Sequence, residues 1–166
     1  MTIHAAITGW GMSVPVKVVT NADIAKIVDT SDEWIQSRTG IRERHIISGD
    51  ETTSSLAAAA GRDAMQMAGV TANDIALIVP HQANTRIISA ACERLGIPME
   101  RTSTVLHETG NTSSASIPLA LFDAADGGSM SGRTLREGDL VLVVGFGAGM
   151  TAASAVLRWN GKGLRV

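Results

Sequence analysis

Three segments that each follow a predicted β-strand carry residues that could act on a carbonyl group. His81 follows the strand predicted at 75–79, Asn111 follows the next strand, and a glycine-rich segment, 145–149, follows the one after. Ligands of open α/β sheets gather at the carboxyl ends of the strands. An imidazole, an amide and free backbone N–H groups that meet there would stabilise an enolate or an oxyanion. The spacing therefore indicates carbonyl or acyl chemistry.

Each of these residues also has a structural interpretation. His81 could cap the following helix or bind a carbonyl group, and Asn111 could be an ordinary helix N-cap. The glycines resemble a dinucleotide-binding motif, but 145–149 leads into a strand, and too little chain follows it for the usual acidic residue. We therefore reject that motif. The histidines show no metal-ligand spacing with one another, so we expect no metal site.

Cys92 is the only cysteine of the sequence and lies deep within a predicted helix, four residues after Ile88. A reactive thiolate is favoured at a helix N-terminus or beside a cationic group, and Cys92 has neither position in the pattern. We therefore expect Cys92 to be a buried core residue rather than a nucleophile.

The pattern of apolar residues predicts strands and helices that alternate along the chain. In chain order, these elements are a strand at 5–9, a helix at 20–28, a short helix within 31–44, a helix at 51–68, a strand at 75–79, a helix at 83–95, a strand at 102–106, a helix at 112–125 and strands at 140–144 and 152–159. A capping box at 20–23 opens the first helix, and Pro118 favours a regular start of the last helix near Ser116. The alternation predicts a mostly parallel or mixed sheet covered by helices.

The composition is that of one folded domain. Hydrophobic residues make up 45% of the 166 residues, and charged residues make up 18%, which argues against disorder. Because aromatic residues are only 3%, we expect alanine-rich helices that lie close to the sheet. The net charge of -2 argues against a polybasic nucleic-acid binder. A single cysteine and no basic N-terminal segment fit a cytoplasmic protein.

The uncharged segment 140–157 has nearly the length of a membrane-spanning helix. Glycines at 145, 147 and 149 lie in its middle, and glycine weakens a helix interior while permitting tight turns. We therefore expect two strands joined by a turn and no membrane partner.

The motifs at these positions resemble those of the β-ketoacyl-acyl carrier protein synthase III family, thiolase-fold enzymes that start bacterial fatty acid synthesis. Residues 32–44 resemble the N-terminal signature of the family, and residues 79–84 and 110–113 resemble its two C-terminal catalytic motifs. The segments 145–149 and 157–159 resemble its last strands.

The resemblance covers the whole chain but only about half of a family member. Residues 1–75 match the beginning of the family and residues 79–166 match its end, so the middle, which carries the nucleophilic cysteine, is absent. Cys92 does not match that cysteine. The resemblance implies that residues 1–166 form a single thiolase-like hybrid half, an α/β domain with a mixed five-stranded sheet covered by helices.

The resemblance assigns a catalytic role to several residues. His81 and Asn111 match the pair that binds the malonyl thioester carbonyl and stabilises the enolate formed on decarboxylation. Gly147, Ala148 and Gly149 match the oxyanion loop. Ala148 lies where the family often has glycine, and alanine would be strained there if the backbone φ were positive.

Other residues match binding positions of the family. Trp34 and Arg38, with Thr30 nearby, match the groups that hold the adenine end of coenzyme A. Asn84 matches a pantetheine contact, and Arg86 matches a contact with the acyl carrier protein. The resemblance implies thioesters of coenzyme A as substrates and no tightly bound cofactor.

The implied activity is that of an acyltransferase of fatty acid biosynthesis, which condenses acetyl-CoA with a malonyl-carrier protein. Because covalent catalysis needs a nucleophile, we expect condensation to fail here and only weak decarboxylation of a malonyl thioester to remain. The alternatives are a non-catalytic module that binds coenzyme A or carrier protein, and a non-functional deletion product.

The loss of the second half of the fold would leave an apolar face uncovered, and such faces usually become interfaces. The helix predicted at 83–95 is the candidate, because it carries several apolar residues on one side: Ile87, Ile88, Ala91 and Leu95. We therefore expect a homodimer in which the second copy replaces the missing half, or aggregation.

Overall fold

The computed structural model describes residues 5–161. Its strands and helices, in chain order, are β1 (Ala5–Ser13), β2 (Lys17–Thr20), α1 (Asn21–Ile24), α2 (Asp32–Thr39), β3 (Glu43–Ile46), α3 (Thr53–Ala68), β4 (Leu77–Pro80), α4 (Thr85–Leu95), α5 (Leu106–Thr109), α6 (Ser116–Ala125), β5 (Leu140–Gly147) and β6 (Thr151–Trp159). Short 3₁₀ turns lie at Met99–Arg101, before the loop to α5, and at Ser113–Ala115, directly before α6.

A mixed four-stranded sheet with the order β1-β6-β5-β4 organises the described part of the chain. Strand β6 is antiparallel to both of its neighbours, whereas β4 and β5 are parallel. The four residues of β4 are all buried, as is usual for a parallel strand covered on both faces. A separate two-stranded sheet joins β2 and β3. The prediction of a mixed sheet covered by helices is therefore confirmed.

Helices α3 and α4 cover one face of the sheet, and small residues allow α3 to approach it closely. Ala60 and Ala64 on α3 are fully buried. A Cβ atom at Gly9 or Gly11 on β1 would collide with the backbone of α3. The expectation of an alanine-rich helix close to the sheet is therefore confirmed.

Helix α6 covers only part of the opposite face. It packs on β4 and β5 through a cluster that includes Val79, Ala120 and Val141. Trp10 and Met12 on β1 alternate with the glycines that face α3, and their side chains are 63% and 70% exposed. The opposite face of β1 and β6 thus carries an exposed apolar surface, which we call the open sheet face.

The predicted strand at 102–106 is wrong, so the sheet has four strands rather than five within residues 5–161. Thr102 makes one isolated parallel bridge to Ile78. The N–H of Val105 then donates to the side-chain carbonyl of Gln82, not to the backbone of β4. The chain turns into α5 at the next residue, which ends the pairing.

The helix predicted at 20–28 is a single turn, Asn21–Ile24. The predicted capping box is present, since Thr20 and Asp23 each bind the backbone of the other. Ile27 and Val28 are 79% and 57% exposed, so the rest of the segment has no apolar surface against which a helix could pack. The pairing of β2 with β3 is a feature that the sequence pattern did not predict.

The apolar side of α4 is buried in the core, so it cannot be the dimer interface that the sequence pattern predicted there. Ile88, Ala91 and Leu95 are at most 5% exposed, because they form the core between α4, α3 and the sheet. That location of the interface is wrong, and the homodimer itself stays a prediction.

The uncharged segment at 140–157 forms β5, a turn and β6, as expected. Gly149 has a φ of +124° in the turn, a conformation that favours glycine. Among the helices of residues 5–161, none is long and apolar enough to cross a membrane.

Candidate active site

His81, Asn111, Gly147 and Ala148 line one cleft of about 550 Å³ at the carboxyl ends of β4 and β5. The backbone N–H of His81 donates to the carbonyl of Val144 at 2.7 Å, which fixes the end of β4 against β5. Asn111 reaches the cleft from the loop between α5 and α6. The structure thus brings together the residues of the three predicted junctions, except that Gly149 lines a neighbouring hollow.

The His81 ring is held on two sides. Its Nδ1 atom lies 2.6 Å from the hydroxyl of Ser116 on α6. The ring of Phe146 on β5 meets it edge-on, with centroids 5.1 Å apart and planes at 63°. Partial burial lowers the pKa of His81 below its ordinary value, so the neutral ring is favoured near pH 7.

The Ser116 hydroxyl is fully buried and has three polar neighbours. Besides Nδ1 of His81, it accepts a hydrogen bond from the backbone N–H of Gln82 at 3.1 Å and donates one to the carbonyl of Ser113 at 2.7 Å. Ser116 therefore joins β4, α6 and the loop that carries Asn111.

The Asn111 side chain has its oxygen occupied and its nitrogen free to donate. Its Oδ1 atom accepts a hydrogen bond from the N–H of Ser113 at 3.0 Å, a local Asx turn. Asn111 is therefore not the N-cap of α6, whose cap residue is Ala115. Ser113 has a φ of +53°, a value that no other non-glycine residue within 5–161 approaches. Such backbone strain concentrates at functional sites.

The oxyanion loop does not carry the strain expected at Ala148. Within residues 5–161, Ser113 is the only non-glycine residue with a positive φ, so Ala148 has an ordinary backbone. The positive φ of this loop occurs at Gly149. Alanine is therefore accommodated at position 148 without strain, and its N–H remains available.

The residues that match coenzyme A contacts lie away from the cleft. Thr30 and Trp34 line a hollow of about 500 Å³ beside the N-terminus of α2, and the Trp34 side chain is 57% exposed. Arg38 lies one turn further along α2 and is exposed, but it does not line this hollow.

Asn84 and Arg86 line a third hollow, of about 660 Å³, with residues 52–54 at the N-terminus of α3. The Oδ1 atom of Asn84 accepts a hydrogen bond from the N–H of Ile87 at 2.9 Å, so Asn84, and not His81, caps α4. The binding residues thus occupy two hollows that are distinct from the His81 cleft.

Three residues of the site were missed by sequence reasoning. Ser116 and Phe146 hold the His81 ring, and Gln82 fixes the strand end. Gln82 is fully buried; its amide donates to the carbonyls of Pro80 and Ser103 and accepts from the N–H of Val105. The one signal in the sequence was the polar Gln82 directly after His81, at the end of the apolar run 77–80.

Cys92 is far from reactive. Its side chain is 1% exposed in the core, and Sγ lies 3.4 Å from the hydroxyl of Thr102. Burial raises the pKa of this thiol, which the hydrogen bond to Thr102 only partly offsets. The prediction of a structural cysteine is confirmed. Within residues 5–161, no group of three potential ligands could hold a metal ion.

Comparison with known proteins adds the family. Residues 65–159 match the C-terminal region of 3-oxoacyl-[acyl-carrier-protein (ACP)] synthase III. Beta-ketoacyl-[acyl-carrier-protein] synthase III of Roseiflexus castenholzii is 26% identical over 333 aligned positions, which cover 96% of this chain and 99% of the relative. Because this chain has 166 residues, about half of those positions have no counterpart in it.

Two further proteins are similar to this chain, one over about half of this chain and the other over half of its own length. The synthase III of Xanthomonas campestris pv. campestris is 56% identical over 92 residues, which are 54% of this chain and 28% of the relative. The crystal structure of the priming β-ketosynthase from the R1128 polyketide pathway is 27% identical with a TM-score of 0.64, and the match covers 95% of this chain and 50% of that one. The chain is therefore an internally shortened member of the 3-oxoacyl-[acyl-carrier-protein] synthase III family with a thiolase-like fold.

Proposed function

We propose that this protein is a fatty acid biosynthesis protein that binds malonyl thioesters and decarboxylates them weakly, but does not condense acyl groups. One observation carries the proposal: His81 and Asn111 share a cleft, whereas the one cysteine of the chain is buried in the core elsewhere. The thioester partners proposed are coenzyme A and the acyl carrier protein named in the relatives.

Condensation would need an acyl group on a nucleophile beside the enolate. The cleft is lined by hydroxyl, amide, imidazole and apolar groups, with no thiol among the described lining residues. Cys92 lies in the core between α4 and the sheet, where it is packed in a cluster with Ile78 and Leu142. Its raised pKa disfavours the thiolate. An acyl-cysteine therefore has no place to form.

Decarboxylation needs only stabilisation of the enolate. The bond between the malonyl carboxylate and the α-carbon breaks, its electron pair enters the enolate, and protonation of that carbon gives the acetyl thioester with release of CO₂. Asn111 Nδ2 and a protonated His81 would donate hydrogen bonds to the enolate oxygen. The N–H groups of Gly147 and Ala148, the two residues of the oxyanion loop that line this cleft, would add to these donors.

The test is incubation of the protein with malonyl-CoA at several pH values and measurement of acetyl-CoA. We expect slow formation of acetyl-CoA that falls at least about 100-fold in His81→Ala. Because burial lowers the pKa of His81, the protonated donor is lost as pH rises, and the rate should decline through a pH below 6.5. Acetyl-CoA formation that equals the His81→Ala background would rule the activity out.

A second candidate, a binding module without turnover, is favoured by the exposed indole of Trp34 beside Thr30. Stacking of a base on an aromatic side chain contributes about 1–3 kcal/mol. We expect calorimetry to show coenzyme A binding that weakens about tenfold or more in Trp34→Ala. Trp10→Ala is the matched control, since Trp10 is also exposed and lies on the open sheet face. Equal affinities of the two variants would exclude Trp34 from the site.

We also propose that the protein is a cytoplasmic homodimer with no tightly bound cofactor. Trp10 and Met12 on the open sheet face support the dimer, because contiguous exposed apolar surface usually becomes an interface. Arg86, an exposed cation beside Asn84, is the proposed contact for the carrier protein, and Arg38 and Thr30 are proposed to join Trp34 at coenzyme A.

A further inference from the structure

The hydrogen bonds of Ser116 determine which nitrogen of His81 carries the ring proton. A hydroxyl has one proton to donate. Ser116 donates it to the Ser113 carbonyl at 2.7 Å and accepts from the N–H of Gln82. The remaining lone pair of Oγ faces Nδ1 of His81 at 2.6 Å. Nδ1 must therefore be the donor, and the neutral ring carries its hydrogen on Nδ1.

The second nitrogen of His81 is consequently a base. With the hydrogen on Nδ1, Nε2 of the neutral imidazole presents a lone pair. Within residues 5–161, the one hydrogen bond of the His81 ring is that at Nδ1, on the buried side toward Ser116. Nε2 is left for the cleft, which His81 lines.

Ser113 connects this base to an oxyanion donor. Its N–H donates to Oδ1 of Asn111 and its carbonyl accepts from Ser116. Ser113 makes both bonds at a φ of +53°. The same turn therefore sets the Nδ1–H form of His81 and leaves the Nδ2 hydrogens of Asn111 to donate.

We infer that this cleft hydrolyses acyl thioesters, with His81 as the general base and Ser116 as the residue that positions its proton. The inference rests on the proposed function in one respect, that the cleft binds thioesters of coenzyme A. Because no thiol lines the cleft, water takes the place that a nucleophile would occupy.

The chemistry balances with water alone. Nε2 of His81 removes a proton from water as the oxygen attacks the thioester carbonyl carbon, and Asn111 Nδ2 donates to the resulting oxyanion. Collapse of the tetrahedral intermediate breaks the carbon–sulfur bond. The leaving thiolate takes the proton from the His81 imidazolium, so the products are a carboxylic acid and a free thiol.

Hydrolysis and decarboxylation should have opposite pH profiles. The hydrolytic base is the neutral ring, so hydrolysis rises as pH increases through the pKa of His81, where decarboxylation declines. Within residues 5–161, the ring is hydrogen-bonded to the Ser116 hydroxyl of α6 and meets the Phe146 ring of β5, and neither group titrates in this range. Among the described residues that line the cleft, none carries a charged side chain besides His81 when its ring is protonated.

The experiment uses acetyl-CoA in water enriched in oxygen-18, with thiol release followed by a chromogenic reagent and the label followed in acetate. We expect His81→Ala to lower thiol release at least about 100-fold. Ser116→Ala should lower it about tenfold, whereas Ser89→Ala, an exposed serine on α4, should leave it unchanged. Label in acetate shows that the thioester is hydrolysed. An intact-protein mass without an acetyl adduct during turnover then shows that water, and not a side chain, attacks the carbonyl carbon, whereas an acetyl adduct would contradict the inference.

Nitrogen-15 NMR of the imidazole shows directly which ring nitrogen of His81 carries the hydrogen, and the measurement does not depend on catalytic activity. We expect the Nδ1–H form for His81 above its pKa, assigned by the signal missing in His81→Ala, and a shift toward the Nε2–H form in Ser116→Ala with otherwise preserved spectra. An Nε2–H form in the unmodified protein, or thiol release that survives His81→Ala, would overturn the inference.

The two proposals can fail separately. Thiol release from acetyl-CoA without decarboxylation of malonyl-CoA would support hydrolysis and refute the proposed function. Decarboxylation without any thiol release would support the proposed function and refute hydrolysis.

Discussion

Gly11→Ala is expected to lower the free energy of unfolding by about 3 kcal/mol or more, which is at the upper end of overpacking effects. The added Cβ would meet the carbonyl of Ala60, and would lie 2.7 Å from the backbone nitrogen of Ala64. These atoms belong to the backbone of α3, which cannot move aside as a flexible side chain can. Denaturant unfolding followed by circular dichroism measures the change.

Gly147→Ala is the matched control, because no atom lies within 4 Å of a Cβ added there and its φ is not positive. Its free energy of unfolding should remain within about 0.5 kcal/mol of the unmodified protein. If Gly11→Ala were as stable as this control, the close approach of α3 to β1 would be wrong.

Asp123→Asn is expected to destabilise the fold by about 2–4 kcal/mol, because it removes charge-assisted hydrogen bonds from a buried site. The Asp123 carboxylate is 3% exposed at the end of α6. It accepts hydrogen bonds from the N–H of Met130 at 2.9 Å and of Ser131 at 3.0 Å, and from the hydroxyls of Ser131 and Ser129. Asparagine keeps one acceptor oxygen and leaves buried donors unpaired.

The same carboxylate makes stability depend on pH. Burial acts to raise the pKa of Asp123, but the hydrogen bonds from Ser131, Met130 and Ser129 outweigh it and hold the pKa below its ordinary value. Stability from this group is therefore complete above the unfolded pKa of about 3.9 and is lost as pH falls toward the lower folded value. Asp123→Asn should show a smaller loss of stability between pH 5 and pH 2 than the exposed control Asp126→Asn. Equal acid sensitivity would contradict the role of Asp123.

Local signals predicted the parts of the fold that local interactions determine. The capping box at Thr20 and Asp23, the start of α6 at Ser116 and the buried strand β4 depend on residues within a few positions of one another. Such patterns are visible in the sequence because the stabilising contacts are themselves local.

The predictions that were wrong concern segments whose structure depends on tertiary contacts. The segment after Thr102 has strand-like residues, but the Gln82 side chain takes the N–H that would have continued the ladder. The apolar side of α4 is real, yet it faces the core and not a missing partner. Periodicity shows that a face is apolar and does not show what covers it.

The sequence predicted the central residues of the candidate site, His81 and the glycine loop, but not the residues that hold them, such as Ser116. The carboxyl ends of parallel strands lie at the same edge of a sheet, so His81 after β4 and the glycine loop after β5 could be expected to lie near each other. Ser116 lies 35 residues from His81, and its three hydrogen bonds depend on how α6 is seated against the sheet. No spacing rule contains that information.

The pairing of β1 with β6 has a consequence for how the chain folds during its synthesis. Ala5 is the partner of Trp159, so β1 must wait for a strand that is synthesised much later. Contacts between such distant residues form slowly, because the long intervening loop must close first. Until the ribosome has released β6, β1 can pack on α3 but lacks its strand partner, and its exposed apolar side chains, Trp10 and Met12, are open to chaperones.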